Sequence, residues 1–128
     1  MAPSLGGGHF PGRAAIEAYG NGGFRFAGMS HRGSILCLPS GIWAWDAERP
    51  ADLDAAAFAR LFAEAEPIDM LLVGTGTDLV PLAAGLRQAL RDRRIQADPM
   101  ATGAAVRTYN ILLAENRRVA GAFLAVEA

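Results

Sequence analysis

The chain has 128 residues, 52% of them hydrophobic and 20% charged, with a formal net charge of −1. That length suits one domain with a real core, and the composition excludes a disordered chain. The near-zero charge supplies no positive field for nucleic acid, and the twelve basic residues are all arginine, which excludes a lysine Schiff base and a P-loop lysine.

Residues 1–12 are rich in Gly and Pro, with neither the basic start nor the apolar stretch of a secretory signal. They read as a flexible tail, followed by a single α/β domain over 13–128. Residues 16–19 and 24–26 are short apolar runs around Gly20-Asn21-Gly22-Gly23. Asn-Gly between such runs predicts a hairpin, because both residues tolerate the positive φ of a type I′ turn. Residues 34–38 and 42–45 are two further strand candidates, and His31 falls in an expected turn before them.

The pattern then turns helical. Asp52 is placed to cap a helix over 53–66, with Leu53, Phe58, Leu61, Phe62 and Ala65 on one stripe and Pro67 ending it. Residues 68–73 suit a buried strand. Leu79, Leu82, Ala83, Leu86 and Leu90 mark a second amphipathic helix, ended by Arg91, Arg93 and Arg94, where cations suit the helix dipole. Residues 95–97 form a short strand. Thr102 is placed to cap a third helix to about residue 116, with Ala105, Val106, Tyr109, Leu112 and Leu113 as its buried stripe and Ile111 opposite. Residues 119–126 carry apolar side chains on both faces, as in a central strand. Strand, helix, strand, helix, strand predicts an α/β fold: a mixed central sheet with flanking helices and a strand-rich N-terminal third.

Two segments are candidates for chemistry. Gly74-Thr75-Gly76-Thr77-Asp78 joins a strand to a helix, where exposed backbone N–H groups can hold an anion. The dinucleotide pattern would need a third glycine where Leu79 stands, and the structural alternative is a tight turn with Asp78 as a cap. Thr102, Gly103, Arg107 and Asn110 line one flank of the third helix and, if both helices start at one sheet edge, would complete a cleft with Gly74–Gly76. Against that stand an Arg107 ion pair with Asp78 or Asp98 and an Asn110 bond to backbone.

Cys37 alternates among aliphatics and reads as an inert core residue without a base partner. One cysteine and two histidines make a zinc site unexpected, and no metal or cofactor is implied. No G-x-S-x-G elbow is present. Trp43 and Trp45 share one face of a strand, either packing on the core or anchoring a partner. The longest uncharged run, residues 33–45, contains Pro39 and two glycines and falls short of the roughly 20 residues of a spanning helix. A soluble, cytoplasmic protein is expected, at most peripheral to a membrane.

Several segments together carry a family resemblance. They are Ile16-Glu17-Ala18-Tyr19-Gly20 with Gly23-Phe24-Arg25, Gly33-Ser34-Ile35-Leu36 with Pro39 and a following Trp, Leu72-Val73-Gly74-Thr75-Gly76, and the stretch Met100-Ala101-Thr102-Gly103-Ala104-Ala105-Val106-Arg107-Thr108-Tyr109-Asn110. Over residues 14–127 the chain resembles a small family of unknown function typified by a methanobacterial protein. Its relatives include mitochondrial complex I assembly factor 3 and an adipogenesis-associated protein. The resemblance implies a compact α/β fold with a mixed sheet. It also implies protein partners, respiratory-complex subunits among them, and it brings no catalytic residues with it. The expected function is a non-catalytic interaction or assembly factor in a bacterium. The alternative is a binder or enzyme for a small anionic ligand, using the cleft between the Gly-Thr-Gly turn and the third helix.

Overall fold

The computed structural model describes residues 9–127. Among these described residues nine strands and three α-helices follow one another: β1 His9–Pro11, β2 Ile16–Gly20, β3 Gly23–Phe26, β4 Met29–Arg32, β5 Ser34–Leu38, β6 Gly41–Trp45, α1 Ala59–Phe62, β7 Met70–Gly74, α2 Ala84–Asp92, β8 Gln96–Met100, α3 Thr102–Ala114 and β9 Val119–Phe123. Six strands make the main sheet in the order β1-β6-β5-β9-β7-β8, while β2, β3 and β4 form a separate three-stranded sheet. β9 runs antiparallel to β5 and parallel to β7, and β7 is parallel to β8, so the central sheet is mixed as the element order predicts. Pro99 lies on the edge strand β8, where a missing N–H costs no ladder bond.

Strand alternation sends side chains into two cores. Leu36, Leu38, Leu71 and Val73 pack with Phe58 and Leu61 and with Leu86 and Leu90 of α2. Ile35, Cys37, Leu72 and Phe123 face the other way, onto Phe24 and Phe26 of the small sheet and Ala105, Val106 and Tyr109 of α3. The main sheet is thus a middle layer between α1 with α2 and the small sheet with α3. Both faces of β9 are buried, which is what its uniformly apolar sequence requires.

The hairpin between β2 and β3 turns at Asn21 and Gly22, both at positive φ (53° and 78°), as the Asn-Gly pair predicts. A second tight turn, Ala27-Gly28, also has positive φ at both residues (51° and 74°). It leads into β4, which the sequence does not announce because alanine is not a residue that favours this conformation. His31 consequently sits buried on β4, opposite Phe24 across the ladder, rather than in a solvated turn.

Three further expectations are corrected. Residues 9–11 do not belong to a loose tail: β1 pairs with β6, His9 opposite Trp43 and Pro11 opposite Gly41. A Cβ on Gly41 would overlap the Phe10 carbonyl, so glycine is what lets this edge strand approach. Residues 1–8 of the expected tail lie outside the described residues.

The helix expected over 53–66 is broken into 3-10 turns at Pro50–Asp52 and Ala56–Phe58 followed by the single α-turn α1. Asp52 does not cap it; its carboxylate accepts the N–H groups of Glu48 and Arg49 at 2.9 and 3.1 Å. The Trp45 indole donates to the Ala57 carbonyl at 2.8 Å, taking an acceptor a continuous helix would use. The buried stripe of Leu53, Phe58 and Leu61 survives because tertiary anchors, not propensity, set the path.

The second helix starts at Ala84, not near Leu79. The Val80 N–H bonds to the Thr75 hydroxyl instead, and Pro81 biases its predecessor away from helix. Leu79, expected on the buried stripe, is 58% exposed.

Candidate functional site

The Gly-Thr-Gly turn leaves the C-terminal end of β7, where α3 also begins. Gly74 has no room for a side chain: a Cβ there would come within 3.0 Å of the Thr102 Cα. The helix start is therefore seated directly on the strand end. Thr102 is fully buried, and its hydroxyl donates to the Leu124 carbonyl at 2.8 Å while accepting the Gly76 N–H at 3.0 Å. The Thr102 N–H returns to the Gly76 carbonyl at 2.8 Å. Thr75 is the counterpart on the other side. Its hydroxyl lies 2.7 Å from the Asp78 carbonyl and 3.0 Å from that of Met100, and accepts the Val80 N–H at 2.9 Å. Two threonines thus tie together the ends of β7, β8 and β9 and both connecting loops, and their hydrogen-bonding capacity is used internally.

Two sequence-based assignments change here. Thr102 is not the cap of α3: Ala101 occupies that position, and Thr102 is the first helical residue with its hydroxyl turned to the sheet. Asp78 caps nothing; it is exposed in the loop, and its backbone carbonyl serves Thr75.

Above this knot lies a cleft of about 290 Å³ lined by Tyr19, Gly76, Thr77, Ala101, Gly103, Ala104, Arg107 and Val126. Four separate segments build it. The β2–β3 hairpin brings Tyr19 and is fastened to the end of the chain, Asn21 N–H to the Glu127 carbonyl at 3.0 Å and Gly22 N–H to that of Val126 at 2.9 Å. Tyr19 lies so close over α3 that a Cβ on Gly103 would overlap its hydroxyl. In the first turn of α3 the Thr102 N–H is engaged by Gly76 and that of Ala105 by Ala101. The N–H groups of Gly103 and Ala104 have no intrahelical acceptor. Arg107, one turn on, is exposed, and among the described residues the ion pairs are Arg25 with Glu17 and Arg118 with Asp69, not Arg107 with Asp78 or Asp98.

Of the eight candidate residues, Gly76, Gly103 and Arg107 line the cleft, while Gly74, Thr75 and Thr102 support it from beneath. Asp78 and Asn110 do not line it. Asn110 points to the small sheet, where its side-chain amide accepts the Ile16 N–H and donates to the Ile16 carbonyl, both at 2.9 Å. Ala101 and Ala104 line the cleft beside the candidates, while Tyr19 and Val126 reach it from segments that sequence reasoning did not connect to it. The one signal was Gly103, a glycine in a helical turn that marks close approach by another group.

A larger hollow of about 540 Å³ lies over the small sheet, lined by Arg25, Ser30 and Arg32 among others. Arg25 is already engaged there with Glu17 at 3.5 Å and Ser30 at 3.4 Å. The remaining candidates are structural. Cys37 is buried, and burial pushes its thiol well above the ordinary range, as it does the Tyr109 hydroxyl that bonds to it. Trp43 is sandwiched between the stacked His9 ring at 3.8 Å and the Arg60 guanidinium at 3.7 Å, and Trp45 packs edge-on to Phe58. Arg93 covers Phe62 at 3.9 Å. Among the described residues no group of three His, Cys, Asp or Glu side chains is placed to hold a metal, and no helix is long and apolar enough to cross a membrane.

Comparison with known proteins agrees with this architecture. An uncharacterized protein of Rhodobacter capsulatus is 40% identical over 124 residues, covering 97% of this chain and 93% of its own length. The mouse NADH dehydrogenase [ubiquinone] 1 alpha subcomplex assembly factor 3 is 34% identical over 116 residues, 90% of this chain; the match spans 62% of that protein's length. A crystal structure of a Bartonella henselae protein, described as an outer membrane protein, superposes with a TM-score of 0.89 at 55% identity, over 93% of this chain and all of the other. A Bordetella pertussis protein with a Mth938-like domain matches at a TM-score of 0.74 and 30% identity, over 88% of this chain and 85% of the other. With its mixed sheet, its flanking helices and a match over residues 16–124, the chain belongs to the family described as Protein of unknown function (DUF498/DUF598).

Proposed function

We propose that the protein is a non-catalytic assembly factor that acts through protein contacts on subunits of a respiratory complex, from the cytoplasm. The observation that carries this reading is the 34% identity to a complex I assembly factor across 90% of the chain. The internal use of the Thr75, Thr102 and Asn110 side chains supports it, since these polar groups serve the scaffold and not a reacting molecule. The experiment is deletion of the gene with assembled NADH dehydrogenase measured on native gels, complemented by capture of the tagged protein. Reduced assembled complex and recovery of its peripheral subunits are the expected outcome. Unchanged complex levels would sink the respiratory reading.

One observation favours a second reading, a binder of small anions. Arg107 and the Gly103 and Ala104 N–H groups border the same cleft, an arrangement that suits a carboxylate or phosphate. Arg107→Ala should then abolish metabolite binding in a screen while leaving the fold intact. A variant that simply unfolds would remove the support for this reading.

A further inference from the structure

α3 shows solvent a surface unlike that of α2. On α2 the residues turned outward are Arg87, Gln88, Arg91 and Asp92, all exposed, as suits a helix solvated on one side. The 13 residues of α3 include a single charged one, Arg107. Opposite its buried stripe of Ala105, Val106 and Tyr109 the helix presents Ile111, 59% exposed, with Ala104, Thr108 and Ala114 around it. A helix apolar on opposite sides suits cover on both, and the rest of the described chain covers only the inner one.

The charges that flank Ile111 indicate what covers the outer side. Arg107 stands four residues before it, and Glu115, which closes the helix, stands four residues after it. Helix geometry sets these two about 40° to either side of Ile111 and about 6 Å before and beyond it along the axis. Both are exposed, and the ion pairs among the described residues engage neither. A face with a positive end, a negative end and an apolar centre is complementary to its own copy turned end for end. In that antiparallel pair Ile111 meets Ile111, and Arg107 of each chain comes level with Glu115 of the other, twice by symmetry. A parallel pair would set Arg107 beside Arg107 and Glu115 beside Glu115, so the charges select one orientation. Ala104, Thr108 and Ala114 are small enough for two helices to approach to the usual spacing of about 8–10 Å.

We infer that the outer face of α3 is a self-association surface, on which a second copy of the chain packs its own α3 antiparallel across a two-fold axis at Ile111. The inference stands apart from the assembly reading, since it needs no other protein. The contact is a single helix face, so the dimer is weak, with a dissociation constant on the order of 10–500 μM.

The test is sedimentation equilibrium of the full chain up to about 1 mM, with NMR spectra recorded on dilution. A reversible monomer–dimer equilibrium is expected, with dilution shifting the amides of Ala104, Arg107, Thr108, Ile111 and Glu115. Ile111→Asp weakens the dimer at least about tenfold. Leu79→Asp, which charges another exposed apolar position, leaves it unchanged. Arg107→Glu alone and Glu115→Arg alone each weaken it about tenfold, because each sets like charges level at two places. Both reversals suit the helix dipole, so the fold is retained. The double variant Arg107→Glu with Glu115→Arg restores association. An equimolar mixture of the two single variants does so too, since every facing pair is then of opposite sign.

A single-copy mass up to about 1 mM overturns the inference. So does a dimer that tolerates Ile111→Asp, or one that Leu79→Asp weakens as much, which marks unspecific apolar association. Dilution shifts confined to another face overturn it as well. A dimer indifferent to both charge reversals, or restored neither by the double variant nor by the mixture, overturns the antiparallel pairing on which the choice of occupant rests.

Discussion

The side-chain amide of Asn110 grips the backbone of Ile16 from both sides, accepting its N–H and donating to its carbonyl, each at 2.9 Å across 94 residues of sequence. This pair joins α3 to the first strand of the small sheet and so fixes the sheet that carries Tyr19 into the cleft.

Asn110→Ala leaves both Ile16 groups without their partner. With about 1 kcal/mol net for each bond and a further cost for the orphaned groups, the variant should lose roughly 2–3 kcal/mol of stability in urea denaturation. Asn110→Asp should also destabilise, because it keeps the acceptor but sets a carboxylate against the Ile16 carbonyl. Unchanged midpoints would show that the clip contributes nothing.

Thr102 gives a sharper contrast. Thr102→Val keeps the shape but removes the acceptor of the Gly76 N–H and the donor to the Leu124 carbonyl, so a loss of roughly 2–3 kcal/mol is expected. Thr102→Ser keeps both bonds and gives up one buried methyl, about 1 kcal/mol. Equal losses for the two variants would refute the hydroxyl's structural role.

Gly103→Ala places a methyl where the Tyr19 hydroxyl lies. Because Tyr19 is partly exposed and meets Gly103 with the far end of its ring, the ring should swing outward and the fold should survive. Alanine's better helix propensity, worth up to about 1 kcal/mol, offsets part of the lost contact. NMR should show the Tyr19 ring protons losing their contact with residue 103. In a Tyr19→Ala background Gly103→Ala should become stabilising. Ring signals that stay put would contradict the close packing.

His31 supplies the pH dependence. Burial lowers its pKa below the ordinary 6.5, and a hydrogen bond with the Ser34 backbone opposes this only in part. The unfolded chain therefore binds a proton more readily than the native one. His31's contribution is complete above pH 6.5 and is lost as the pH falls below that value towards the lowered folded pKa. Denaturation across this range should show stability falling with acid, and His31→Gln should flatten that limb relative to the parent. Parallel curves for the two proteins would exclude His31 as the source.

Some features were legible without coordinates because they depend on neighbouring residues. Asn21-Gly22 made a hairpin, since the two residues that accept positive φ stood between two apolar runs. β9 was central because its apolar side chains fill both faces. Ala105, Val106 and Tyr109 faced the core because helical spacing puts them on one stripe. What the sequence could not announce depended on partners distant along the chain. Trp45 reached Ala57 and broke a helix that propensity favoured, and the Thr75 hydroxyl held the Val80 N–H and delayed the start of α2. Thr102 and Asn110 stood at the right places in the chain for a cap and a cleft. Their hydrogen bonds went instead to Leu124, Gly76 and Ile16, groups that only folding brings near. Local propensity and periodicity set the elements of this protein and their inward faces. Where each polar group is satisfied, and hence which residues remain to line a cleft, was decided by packing, because a buried hydroxyl or amide bonds to whatever group the tertiary fold places beside it.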